Sequence, residues 1–224
     1  MTTHCYPYPL PAVAVDLVVL SADPDDLGLE VLLVERGRPP HAGRRALPGG
    51  FVDVGGGYRP GVPQGEDLED AARRELREET GLDLAGAGAR LLSAGAVGTP
   101  GRDPRGRVVS VLYAALVPSG LRGRVAGGDD ARRAAFERLG AARDLAFDHD
   151  ALLDRALGAV AARVVLDART LAPLFENGPR EQLALLYDPL ARRLAGAPPF
   201  ERWLARQVED GALLPTATGF RLAR

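Results

Sequence analysis

Apolar and polar positions change rhythm repeatedly along this chain, and each change marks an element. Residues 12–20 (AVAVDLVVL) are almost continuously apolar and valine-rich, which predicts a strand. A polar Asp/Pro/Gly stretch over 21–28 ends it, and 29–35 (LEVLLVE) predicts a second strand, paired with the first like a hairpin. A basic, proline-containing loop fills 36–45, and 46–53 (ALPGGFVD) reads as a short strand broken by a Pro-Gly-Gly turn. The period then switches. Leu68, Ala71, Ala72 and Leu76 recur at three- and four-residue spacing, so 66–82 predicts a helix, with Gly81 as its stop. Strands follow at 91–97 and 107–117, separated by a Gly/Pro-rich turn. Residues 119–139 follow no clear period, and a helix runs from Asp148, its expected N-cap, to about residue 164. Strands flanking a helix in this mixed order predict an α/β sandwich.

The last sixty residues have a different rhythm. A short helix over 169–175, a second over 179–194 kinked at Pro189, and a third over 199–209 lead into a terminal hairpin over 211–224. Three helices and a hairpin is the order of a winged helix-turn-helix. In the third helix Trp203, with Phe200, Leu204 and Val208 near it, is assigned to the core, and Arg202 and Arg206 project one turn apart. If the protein binds duplex DNA, these two arginines are the ones that reach it. From residue 145 onward ten arginines face ten carboxylates, so this region is neutral. A DNA reader concentrates positive charge, so a protein-contact or dimerisation module stays open as the alternative.

The helix over 66–82 carries the candidate chemistry. At about 100° per residue, Glu75 and Glu79 fall inside its apolar stripe, Glu78 at the edge, and Asp70, Arg73 and Arg77 outside. Carboxylates aimed at the protein body repel one another unless something positive lies between them. Oxygen donors at i, i+3 and i+4 suit Mg²⁺ or Mn²⁺. Glu-rich helices laced by arginine ion pairs are also ordinary surface helices, and the pattern alone leaves both readings open. Gly49 and Gly50 permit close backbone approach, so the Gly50 carbonyl is a further candidate oxygen ligand. Arg74 lies four residues before Glu78, within reach of its carboxylate. Arg102, Asp103 and Arg105 sit in a Pro/Gly loop whose guanidinium forks suit phosphates, the alternative being a solvated turn. Arg36, at the end of the second strand, is a weaker candidate of the same kind.

Composition narrows the rest. With 224 residues and 46% hydrophobic content, a core is well supplied. The net charge is −2 and the pI about 6.0, so nothing marks the whole chain as basic. All 28 basic residues are arginine. A single cysteine, Cys5, excludes an internal disulfide and fits a reducing compartment; it is read as inert. The first residues lack the basic and apolar regions of a signal peptide, and no apolar run approaches a membrane span. A cytoplasmic protein without a membrane partner is expected. His41 and His149 are read as capping or surface residues.

Gly50, Glu66 and the run Arg74-Glu75-Leu76-Arg77-Glu78-Glu79-Thr80-Gly81-Leu82 resemble the box of the Nudix family. The second half matches throughout. The first half departs by ten extra residues, 55–64 (GGGYRPGVPQ), expected to bulge as a loop. Softer likenesses extend to Nudix-related transcriptional regulators of NAD metabolism: Tyr6-Pro7-Tyr8-Pro9, the Arg102-Asp103-Pro104-Arg105 loop, the stretch from Leu145 to His149, and the C-terminal helices. Arg45 stands where such chains often carry a tryptophan. The resemblance implies a Nudix α/β/α sandwich over 1–145, a connecting helix over 146–165 and a winged-helix-like domain over 166–224. It implies Mg²⁺ (or Mn²⁺) on Glu75, Glu78, Glu79 and the Gly50 carbonyl. Arg74 and the three glutamates are then catalytic, with Glu75 an alternative general base. The implied substrate is a nucleoside diphosphate derivative, ADP-ribose favoured, met by Arg36, Arg102, Asp103 and Arg105. The other implied function is a homodimeric, DNA-binding regulator that senses ADP-ribose and contacts DNA through Arg202 and Arg206.

Overall fold

β1 (Ala12–Ala22) is the spine of the sheet because its side chains are buried on both faces. The computed structural model describes residues 8–56, 64–86, 88–128 and 131–223, so Cys5 and most of the 55–64 segment lie outside the described residues. β1 pairs in parallel with β6 (Val108–Leu116) and antiparallel with β2 (Leu29–Arg36) and with β4 (Gly49–Phe51). β3 (Arg45–Ala46) and β7 (Ala131–Arg138) pair with β2, and β5 (Leu92–Val97) borders β6, completing a seven-stranded mixed sheet. Successive side chains of a strand point to opposite faces. Accordingly Val15, Leu17 and Val19 pack with Ala71, Ala72 and Leu76 of α1 (Leu68–Thr80). Val18 and Leu20 pack with Leu152, Leu153 and Leu157 of α2 (His149–Leu166). A sheet covered by a helix on each face needs apolar residues on both, which is why β1 reads as a continuous apolar run.

α1 is bounded by side-chain and backbone capping. The Asp67 carboxylate accepts from the Glu69 N–H at 3.2 Å. Gly81 adopts the left-handed conformation (φ 71°) and its N–H donates to the Arg77 carbonyl at 2.9 Å. The segment over 119–139 contains a 3₁₀ turn (Ser119–Arg124) and the strand β7, which shows no apolar alternation. Only Ala131 and Ala134 of β7 are buried, and its four charged residues suit an exposed flank.

In the C-terminal region the expected helix over 169–175 is a single 3₁₀ turn, Ala168–Leu171. Pro173 lacks the N–H that would carry the hydrogen-bond ladder onward, although Ala172 itself still holds helical dihedrals (φ −50°, ψ −35°). Then come β8 (Asn177–Gly178), α3 (Arg180–Ala191), α4 (Phe200–Glu209) and the hairpin of β9 (Leu213–Thr216) and β10 (Gly219–Leu222). β10 lies between β8 and β9 in a small three-stranded sheet. α3 runs on through Pro189 to Ala191. The carbonyl deprived of its donor there belongs to Leu185, which is half exposed and open to water. Trp203 of α4 is fully buried, stacks on Tyr187 at 4.3 Å and donates its indole N–H to the Val164 carbonyl at 2.9 Å. Gln207, also buried, accepts the Ala168 N–H at 2.6 Å. α2 thus packs on the sheet along one stripe and holds α3 and α4 along another. Among the described residues, no helix is long and apolar enough to cross a membrane.

Candidate active site

α1 crosses beside β4, and the Pro-Gly-Gly turn brings bare backbone against its glutamates. The Gly49 N–H donates to Glu79 Oε2 at 2.9 Å. A Cβ at Gly50 would run into the Glu75 carboxylate, so only glycine lets that carboxylate lie against the strand. Arg74 organises the group. Its guanidinium donates to Glu66 Oε2 at 2.9 Å, Glu75 Oε1 at 2.8 Å, Glu78 Oε2 at 3.2 Å and the Phe51 carbonyl at 3.1 Å. The Glu66 carboxylate also accepts the Asp53 N–H at 2.8 Å, and the Glu66 N–H donates to the Asp53 carbonyl at 3.0 Å. Residues on either side of the ten-residue insertion are therefore pinned directly together.

These carboxylates differ in environment. Glu78 is 43% exposed at its side chain, Glu75 only 15%. Burial raises the Glu75 carboxyl above its usual value, and Arg74 offsets part of that rise. Burial pushes Glu79 up to about 8, against the Gly49 N–H and with Glu75 and Asp16 adding repulsion. That rise corresponds to a preference for the protonated form on the order of 5 kcal/mol. Glu66 is lowered instead, first by its hydrogen bond to Arg74.

Three carboxylates, a bare glycine carbonyl and no sulfur or imidazole make a donor set for a hard divalent cation. A positive charge there would reverse the penalty on Glu79 and Glu75, so the residues fit such an ion. As the side chains stand, no three His, Cys, Asp or Glu groups among the described residues close around one point, because Arg74 holds Glu75 and Glu78.

The glutamates line a cleft of about 600 Å³ that also takes in Asp16, Arg36, Arg102, Asp103, Arg105, Phe147 and His149. Arg102, read from sequence as a phosphate ligand, is only 5% exposed and already engaged. Its Nε and Nη2 donate to Asp148 at 3.0 and 2.8 Å, and Nη2 lies 3.4 Å from Asp16 Oδ2. Asp148 begins α2, yet its carboxylate serves Arg102 and makes no cap bond. Asp103 is buried and grips Arg105 through Nε at 3.0 Å and Nη2 at 2.7 Å. Arg105 remains nearly half exposed. Arg36 donates to the Pro40 carbonyl at 2.8 Å and lies 4.7 Å from the centre of the Phe147 ring. Arg202 and Arg206 are exposed on α4 and take no part in the cleft lining.

His149 is neither the capping nor the surface residue expected from sequence. It is buried, its Nδ1 accepts the Leu47 N–H at 2.9 Å, and its Nε2 faces Asp16 Oδ1 at 3.5 Å. Burial lowers its pKa, with Asp16 pulling the other way. Asp16 also accepts a 2.5 Å hydrogen bond from Ser110. Its β1 position pairs with Gly49 across the ladder. This polar network stitches the first turn of α2 to the strand that carries the Gly-Gly turn. Sequence reading passed over Asp16, Ser110 and Phe147. The available signal was Asp16, a lone acid inside an otherwise apolar strand.

The NUDIX domain profile matches residues 10–156. The chain belongs to the Nudix family. An ADP-ribose pyrophosphatase of Methanocaldococcus jannaschii is 38% identical over 143 residues, 64% of this Nudix chain and 71% of that protein. The ADPR responsive transcriptional repressor NtrR of Acinetobacter baylyi is 33% identical over 213 residues, covering 93% of this chain and 77% of the repressor. Among solved structures, Shewanella oneidensis NrtR complexed with a 27mer DNA aligns with a TM-score of 0.66 at 25% identity. That alignment covers 94% of this chain and 93% of NrtR, so the likeness runs through both the Nudix sandwich and the C-terminal region.

Proposed function

We propose that this protein hydrolyses the pyrophosphate of a nucleoside diphosphate derivative, with ADP-ribose as the favoured substrate and Mg²⁺ or Mn²⁺ as the metal. The observation that carries this reading is the pair of half-buried, inward-facing glutamates, Glu75 and Glu79, set against Gly49 and Gly50 by α1 and by the Arg74–Glu66 clamp. A pyrophosphatase of ADP-ribose among the relatives supports the substrate. Glu75, Glu78, Glu79 and the Gly50 carbonyl would hold the metal, which when bound supplies charge to polarise the pyrophosphate and acidify water. Arg74 fixes Glu75 and Glu78 in position. Glu75 is the alternative general base. Arg36, at the end of β2, and Arg105 offer cations to the phosphates; Arg102 and Asp103 hold the loop that presents Arg105. Hydrolysis of ADP-ribose at the pyrophosphate yields AMP and ribose 5-phosphate. The test is product release with and without Mg²⁺ or Mn²⁺ across a nucleotide panel. Absence of metal-dependent turnover on every member overturns the reading.

A second function is compatible with the first and rests on a separate observation. We assign residues 166–224 to a winged-helix unit, after a Nudix unit over 1–145 and a connecting helix over 146–165. α4 buries Trp203, Leu204 and Gln207 and turns Arg202 and Arg206 outward. A repressor relative spans 93% of the chain, and a structural neighbour is a DNA complex. On this reading a cytoplasmic homodimer binds a pseudo-palindromic duplex through α4 and senses ADP-ribose in the cleft. Fluorescence anisotropy with the gene's own upstream DNA, with and without ADP-ribose, tests it. Failure to bind any duplex at low salt leaves α4 as a contact module.

A further inference from the structure

The segment that ends in the Gly-Gly turn, residues 44–50, is laced to the loop before α2. Arg44 Nη2 donates to the Asp144 and Leu145 carbonyls at 2.8 and 3.0 Å, and the Ala146 N–H donates to the Arg45 carbonyl at 2.7 Å. The next staple is of a different kind, because a side chain accepts it: the Leu47 N–H donates to His149 Nδ1 at 2.9 Å, with both residues buried. A bond to a backbone carbonyl survives most substitutions, whereas this one depends on the identity of residue 149. Since Nδ1 accepts, the neutral ring carries its proton on Nε2, which faces Asp16 Oδ1 at 3.5 Å. Asp16 is fixed in turn by Ser110 at 2.5 Å, and it pairs with Gly49 across the β1–β4 ladder. Beyond Leu47 the chain is handed on at once. The Pro48 carbonyl accepts the Leu17 N–H at 2.9 Å, and the Gly49 N–H meets Glu79. One imidazole therefore bears on both arms of the turn, through the backbone three residues before Gly50 and through the acid opposite Gly49.

We propose that His149 is a positioning residue for the metal site. By accepting the Leu47 N–H while Asp16 faces its other nitrogen, it fixes the turn that lays Gly49 against Glu79 and Gly50 against Glu75. It acts through the turn rather than on the ion. Groups that hold a metal's ligands in place set how tightly the metal binds, even without contact to it. The inference rests on the metal reading of the glutamates and adds to it a residue from the opposite face of the sheet.

Binding of Mn²⁺ to the full-length protein without nucleotide, followed by the electron paramagnetic resonance of the free ion, is the measurement. H149L removes the acceptor and is expected to weaken Mn²⁺ binding by about 10–100-fold. H149N keeps an oxygen acceptor near the Nδ1 position and is expected to bind Mn²⁺ as wild type does. Hydrogen exchange of the Leu47 amide quickens in H149L and stays slow in H149N. If H149L folds poorly, H149A replaces it. Wild-type Mn²⁺ affinity in the folded acceptor-free variant, or equal weakening in H149N, overturns the positioning role and leaves the hydrolytic reading standing. Wild-type protein that binds no Mn²⁺ overturns both.

Discussion

α1 and α4 both set charged residues one turn apart, and they dispose of them in opposite ways. α1 turns Glu75 and Glu79 toward the sheet, where burial raises both carboxyls. α4 turns Arg202 and Arg206 to solvent, and the Arg206 side chain is 64% exposed with only a 3.4 Å contact to Asp210. An exposed pair of that kind is worth about 0–1 kcal/mol. The half-buried carboxylates are raised by desolvation and so oppose folding in their charged form, which marks a site; the arginines cost nothing and bear on function only through an external partner. Charge disposed inward is therefore the stronger functional signal of the two.

The sharpest break in that comparison is Glu79→Gln. Turnover falls by at least roughly 10²-fold, the scale of lost metal or acid–base help, and the metal-free melting temperature does not fall. Unchanged turnover removes Glu79 from the chemistry. On α4, replacing Arg202 and Arg206 together by alanine abolishes duplex binding and leaves hydrolysis intact. Each change shifts stability by less than about 0.5 kcal/mol, as for surface sites generally. Wild-type DNA affinity itself declines steeply with salt. Retained binding by the double variant moves the DNA surface off α4.

A smaller effect concerns His149. Its folded pKa lies below the unfolded value, so its contribution is complete above about pH 6.5 and is lost as pH falls toward the folded pKa, by at most about 1.4 kcal/mol per pH unit. Chemical denaturation of H149Q from pH 7 to 5 follows a flatter profile than wild type; parallel profiles rule His149 out. Smallest of all is deletion of residues 55–64. Asp53 and Glu66 already hold each other, so joining Val54 to Gly65 keeps the clamp and a soluble fold, with closure entropy the main change. Insoluble protein shows that the segment supports the site.

What was legible in sequence was whatever repeats locally. The 3.6-residue period of α1 gave both its core stripe and the inward glutamates, and the unbroken apolar run of β1 marked it as a strand. β7 was silent because its Ala/Arg sequence has no alternation to read. The cleft's polar network was hidden for another reason: Asp16 and His149 are far apart in the chain, and only the fold juxtaposes them. Arg102 was visible but ambiguous. A guanidinium fork suits a phosphate and a carboxylate equally, and here Asp148 takes it.

One helix serves two interiors. α2 has 18 residues, about 27 Å of rigid rod, and its buried stripe joins Val18 and Leu112 of the sheet to Trp203 and Leu213 in one continuous apolar cluster. The usual remedy for a two-part chain, cutting at the joint, therefore has no neutral place to cut. A truncation before α2 strips one face of the sheet, and one after it bares the seat of Trp203. The shared cluster predicts that the two parts melt in one transition, which calorimetry would show as a single peak.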